Sequence, residues 1–97
     1  MTITKSILVK KAELKLSGWV DTGTAPQLAE ELQKLEDGIE FLTLDLSEVE
    51  YISSAGLRQL VAAYKQMNGS FALRNVPTEI MDVIHMTGLD RKIRIEQ

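Results

Sequence analysis

Apolar and polar positions alternate along this chain in runs that switch between the strand period and the helix period. Residues Ile3 to Val9 and Ala12 to Leu16 read as two strands, Leu14 and Leu16 alternating with Glu13, Lys15 and Ser17. Lys10-Lys11 fits a tight turn between them, without the Asn-Gly chemistry of a favoured hairpin. A helix follows. Thr24 with Gln27 reads as a capping box, Pro26 suits the first turn, and Leu28, Leu32 and Leu35 form one stripe. Gly38 is expected to end it in a left-handed conformation, with Ile39 packing back.

Phe41 to Leu46 predicts a central strand covered on both faces. The segment Ser47 to Ile52 is expected to be a loop leading to a second helix that begins at or beside Ser54. That helix carries Leu57, Leu60, Val61 and Tyr64 at i, i+3, i+4, i+7 and stops at Asn68-Gly69. Ser70 to Arg74 reads as a strand. Pro77 restarts a helix with Ile80, Val83 and Ile84, Thr87-Gly88 ends it, and Arg91 to Ile95 alternates as a last strand. The order β-β-α-β-α-β-α-β predicts one α/β domain over residues 1–97, with a mostly parallel sheet, an antiparallel N-terminal strand and three helices.

Composition narrows the function. The chain has 97 residues, 44% of them apolar, so one ordered domain is expected. It has no cysteine, which excludes disulfides, thiol catalysis and thiolate metal sites. No signal peptide and no membrane-length apolar run is visible, so a cytoplasmic protein without membrane insertion is expected. Eleven basic residues against fourteen acidic ones argue against a nucleic-acid partner. Arg91-Lys92-Ile93-Arg94, the nearest thing to a basic patch, reads as a strand with one solvated face.

Few groups point to catalysis. His85 is the only histidine and sits beside Ile84 and Met86 in the third helical stripe, where an ordinary helix residue is the simpler reading. No nucleophile elbow or metal-ligand spacing occurs, and no catalytic, metal or cofactor site is expected. Asp21 with Asp45 is a candidate carboxylate pair of little weight. Ser53-Ser54-Ala55-Gly56 could hold an anion at a helix start but lacks the Gly-Lys-Ser/Thr of a P-loop. Read from spacing, Ser54 is a helix N-cap with an outward hydroxyl. Gly56 in a first helical turn costs up to about 1 kcal/mol relative to Ala, which implies a demand for space.

The stretch Asp45-Leu46-Ser47 through Ser53-Ser54-Ala55-Gly56-Leu57 resembles the signature of the STAS family, the sulfate transporter and anti-sigma factor antagonist domain. Gly18-Trp19-Val20-Asp21 is similar to the family's Gly-Glu-Leu-Asp, and Asn75-Val76-Pro77 with Thr87-Gly88-Leu89 is similar to its last helix and flanks. The resemblance implies that Ser54 is a phosphoacceptor and that Asp21 lies near it. Ser53 stands where phosphorylated members usually have Asp, and Trp19 stands where Glu is usual. The implied protein is an anti-sigma factor antagonist that binds an anti-sigma factor of the serine protein kinase type and is switched off by phosphorylation. Its partner-binding residues would be Trp19, Asp21, Ser53, Ser54, Ala55, Gly56 and Arg58. Trp19 reads equally as a ring packed on the sheet edge or as an anchor in the interface. The alternative is a STAS adaptor without phosphorylation, such as the soluble subunit of a lipid-trafficking ABC transporter. The tail of an anion transporter is disfavoured by the start at Met1 without membrane helices. A monomer or weak dimer is expected.

Overall fold

The computed structural model describes all 97 residues. Five strands form one sheet in the order β1-β2-β3-β4-β5: β1 (Thr2–Leu8), β2 (Lys11–Val20), β3 (Phe41–Ile52), β4 (Phe71–Arg74) and β5 (Arg94–Glu96). The β1–β2 pair is antiparallel and every later pair is parallel. Helices α1 (Ala25–Gln33), α2 (Ser54–Gln66) and α3 (Thr78–Thr87) fill the three crossovers, and a short 3-10 turn, Leu89–Arg91, precedes β5.

Each crossover advances one strand in the same direction, so right-handed connections place all three helices on one face of the sheet. A single cluster of 19 buried apolar residues results. Leu14 and Leu16 of β2, Leu42, Leu44 and Leu46 of β3, and Phe71 and Leu73 of β4 meet Leu28 and Leu32, Leu60 and Ala63, and Ile80 and Ile84. The other sheet face has no helical cover. β3 is therefore half-covered, not covered on both faces: Leu42 and Leu44 are buried while Phe41 and Thr43 between them are partly exposed. The open face is held by polar pairs, Lys15 with Glu48 at 3.6 Å and Arg74 with Glu13 at 3.3 Å. Arg94 lies 5.6 Å over the Phe41 ring.

The expected loop from Ser47 to Ile52 is strand. β3 runs on for 12 residues, and two register shifts against β2 reset its alternation, so the buried residues fall at 42, 44 and 46 and then at 49 and 52. An added residue at each bulge breaks the period of two and mimics a loop in the sequence. Gly18 sits beside the second bulge with φ 87, a conformation that favours glycine.

Element boundaries differ from expectation at both ends of α1 and before β5. Thr24 precedes α1 but makes no side-chain cap bond of its own. It pairs with Asp21 instead, while Gln27 reaches the Met1 carbonyl at 3.1 Å. α1 stops at Gln33, and Gly38 is not left-handed, although Ile39 does pack on the core. The last strand is shorter than Arg91 to Ile95, because Leu89–Arg91 turns once before β5. α2 ends as the Asn68-Gly69 signal suggests, the Gly69 N–H closing on the Tyr64 carbonyl at 3.0 Å.

Asp45 is the one buried charged residue. Burial pushes its carboxyl up, but the Ser47 N–H at 2.9 Å, the Ser47 hydroxyl, Asn75 at 3.3 Å and Lys15 together hold it below the ordinary carboxylate range. A depressed folded value contributes stability above the unfolded value, 3.8, that is lost as pH falls through the folded one. Thermal melts from pH 7 down to about pH 2 should show stability falling on acidification, with a smaller fall in the Asp45→Asn variant, which starts lower at neutral pH.

Candidate partner-docking site at the start of α2

The site is built where β2 and β3 end and α2 begins. The Val20 carbonyl at the end of β2 accepts the Ser53 N–H at 2.9 Å. Ser53 has extended backbone, φ −96 and ψ 176, and its hydroxyl accepts the Gly56 N–H at 3.3 Å. Ser53, not Ser54, is therefore the N-cap. Ser54 is the first helical residue and is exposed, its hydroxyl outside the capping bond. The spacing could not separate two adjacent serines; the extended backbone at 53 decides between them.

This assignment also explains the exchange at position 53. Asp and Ser are both strong N-caps, so Ser53 meets the capping demand that an Asp would meet there, without its charge.

Gly56 is buried in close contact. A Cβ there would stand 2.6 Å from the Val20 carbonyl oxygen, 2.8 Å from Ile52 Cγ1 and 2.9 Å from Val20 Cγ1. The expected demand for space is thus met by the backbone of β2. Gly56, Leu60 and Ala63 form the inner stripe of α2 at i, i+4 and i+7. Ser54 and Arg58, at i and i+4, are both exposed on the other side, and Ala55 is half-buried between the two faces.

Asp21 follows Val20 directly and lies next to this junction, half-buried. One carboxylate oxygen, Oδ1, accepts from the Thr24 N–H and the Thr24 hydroxyl, both at 3.1 Å, and the Asp21 N–H donates to Thr24 Oγ1 at 2.9 Å. Asp21 shapes the turn into α1. Asp45 is far down β3, in register with Lys15, whereas Val20 is in register with Ile52. The two acids are not a pair. His85 is exposed at the end of α3, with Nδ1 2.8 Å from Asp90 Oδ2, a bond that holds Asp90 below the usual carboxylate range.

Trp19 lies inside β2 and is 56% exposed. It packs on Tyr51 of β3, with ring centroids 5.1 Å apart at 45°. Tyr51 is itself 46% exposed. The sequence reading missed Tyr51, because its partnership with Trp19 depends on the bulge that aligns the two residues. The pair stands on the open face at the same end of the sheet as Ser54, so aromatic surface and serine wrap one rim.

The family model for the STAS domain matches residues 2–97. The chain belongs to the STAS domain family. It is 32% identical over 89 residues to the anti-sigma-B factor antagonist of Listeria monocytogenes, covering 87% of this chain and 77% of that relative. An anti-sigma factor antagonist from Mycobacterium paratuberculosis superposes with a TM-score of 0.88 at 28% identity, covering 98% of this chain and 84% of that one. The Bacillus cell fate determinant SpoIIAA in its phosphorylated form gives 0.75 at 11% identity, covering 99% and 92%, a likeness of fold alone. No helix of this STAS protein is long and apolar enough to cross a membrane.

Two substitutions test the junction. Gly56→Ala should destabilise by about 1–3 kcal/mol in denaturant unfolding, because the clash with the Val20 carbonyl outweighs a helix-propensity gain of about 1 kcal/mol. Ser53→Ala should cost about 0.5–2 kcal/mol and Ser53→Asp should be near neutral, since only the first removes the cap.

Proposed function

We propose that this STAS protein is an anti-sigma factor antagonist that docks an anti-sigma factor of the serine kinase type through the rim around Ser54 and is released when Ser54 is phosphorylated. The observation that carries the reading is the position of Ser54: exposed, first in α2, and relieved of the capping bond by Ser53. A kinase can take this hydroxyl without breaking a bond that the fold needs.

Phosphate adds about −1.5 to −2 charges at neutral pH. At the first helical residue it meets free N–H groups and the positive end of the helix dipole. Arg58, one turn on and exposed, is the nearest cation on that side of α2. The helix therefore tolerates the modification, and the change falls on the docking surface as bulk and charge. Trp19 and Tyr51 supply an aromatic anchor at the edge of that surface, the residue types that dominate interface energies. Asp21 acts by fixing the turn beside the serine.

Incubation with a candidate anti-sigma kinase and ATP should place one phosphate on Ser54, read by mass spectrometry, and none on Ser54→Ala. Ser54→Glu should weaken binding to the unmodified partner while amide spectra of the core stay unchanged; widespread core shifts would refute a surface switch. Trp19→Ala should leave the fold intact and cost at least ~2 kcal/mol of binding. Tight binding to a transporter permease or ATPase, with Ser54 never modified, would favour the adaptor reading instead.

A further inference from the structure

At the end of the sheet opposite Ser54, the β1–β2 hairpin closes in an apolar tip that the single chain leaves uncovered. Ile7, Leu8 and Val9 are 45%, 75% and 85% exposed. Val9 and Lys10 make the turn between the strands, and Val9 has φ 59. Glycine or asparagine is favoured at such a position, and a β-branched residue there is a steric outlier. The packing of one chain gives no reason for valine, because its side chain touches little. Beside the tip lies a recess of about 510 Å³ lined by Leu8, Val9, Lys10, Lys11, Glu40 and Phe41.

We propose that this tip is a contact between two copies of the chain, related by a two-fold axis, each packing its Leu8 and Val9 against the other's Leu8, Val9 and Phe41. Leu8 and Val9 are themselves two of the three apolar walls of the recess, with Phe41 the third, so one apolar patch can meet its own copy, as an isologous contact requires. The charges repeat the pattern. Lys10 and Glu40, 63% and 71% exposed and 3.3 Å apart, stand side by side on the rim, so a two-fold axis brings each Lys10 to the second copy's Glu40. An anionic lipid surface fits less well, because Glu40 shares the rim and the chain carries a net charge of −3. Pairing along the outer edge of β1 is disfavoured too. Lys5 stands in register with Leu14 on the helix-covered side of that edge strand, a placement that opposes edge-to-edge addition.

The contact leaves the Ser54 rim free. The 12-residue strand β3 begins with Phe41 in the recess and ends at Ile52, next to Ser53. The proposal is independent of the reading of Ser54, and failure of either leaves the other standing.

Sedimentation of the full chain from about 10 μM to about 1 mM tests it, since self-association is concentration-dependent. The mass should rise from 10.9 kDa toward twice that value. Leu8→Ser and Val9→Gly should each raise the dissociation constant at least ~10-fold. Val9→Gly suits the positive φ, so unchanged melting separates lost association from lost folding. Lys10→Glu and Glu40→Lys should each weaken association ~10-fold alone, while an equimolar mixture of the two returns to near wild-type strength, because opposite charges then meet across the axis. A monomer at every concentration overturns the proposal. So does association untouched by Leu8→Ser and Val9→Gly, a mixture no tighter than either variant, or binding to phosphatidylglycerol vesicles without self-association.

Discussion

One carbonyl oxygen organises the site. Val20 O, at the end of β2, accepts the Ser53 N–H and is also the atom that any side chain at position 56 would strike. The first contact ties the last residue before α2 to the sheet. The second sets how closely the first turn of α2 approaches it. With both satisfied, the inner stripe of α2 falls on the core at Leu60 and Ala63, and Ser54 is turned outward by helical geometry alone. The exposure of the serine is thus a consequence of how the helix is seated, and it needs no loop flexibility.

Much of this was legible in the sequence, for physical reasons. Leucines at helical spacing, glycine after α3 and Asn-Gly after α2 are local signals, and local signals survived into the structure. What misled was non-local. The run Phe41 to Leu46 looked doubly covered, yet one side of its sheet faces solvent and is held by ion pairs to neighbouring strands, which a single segment cannot show. The two bulges in the β2–β3 ladder made 47–52 resemble a loop and hid Tyr51. Thr24 has the residue type of a cap, but Asp21 reaches it first, so the predicted box with Gln27 never forms. The site itself was legible at Gly56, where the cost of glycine in a helix implied a close neighbour, and ambiguous at Ser53 and Ser54, whose hydroxyls are chemically identical.

The division of labour between the two serines has a further consequence. Had Ser54 been the cap, modifying it would have removed an acceptor from the helix start and destabilised α2. With Ser53 capping, the fold and the modifiable hydroxyl are separated by one residue. Asp at position 53 would cap equally well but would place a charge beside Ser54, where the proposal puts a phosphate. Under the proposed phosphorylation, Ser53 would lower that local repulsion without altering the backbone that presents the neighbouring hydroxyl.

A charge added at Ser54 therefore has little means of relaxing into the protein. The dipole and free N–H groups of α2 favour it where it stands, so the helix has no reason to melt. At Gly56 even an added Cβ would strike three atoms, so the first turn is seated closely against β2. The rim beyond it is fixed by the Trp19–Tyr51 contact and the Asp21–Thr24 bonds. Under the proposed phosphorylation, a surface that gains about −1.5 to −2 charges would pass the change outward, to whatever is packed against it. The closeness of the junction between β2 and α2 is what would let this face act as the proposed switch without a mobile element.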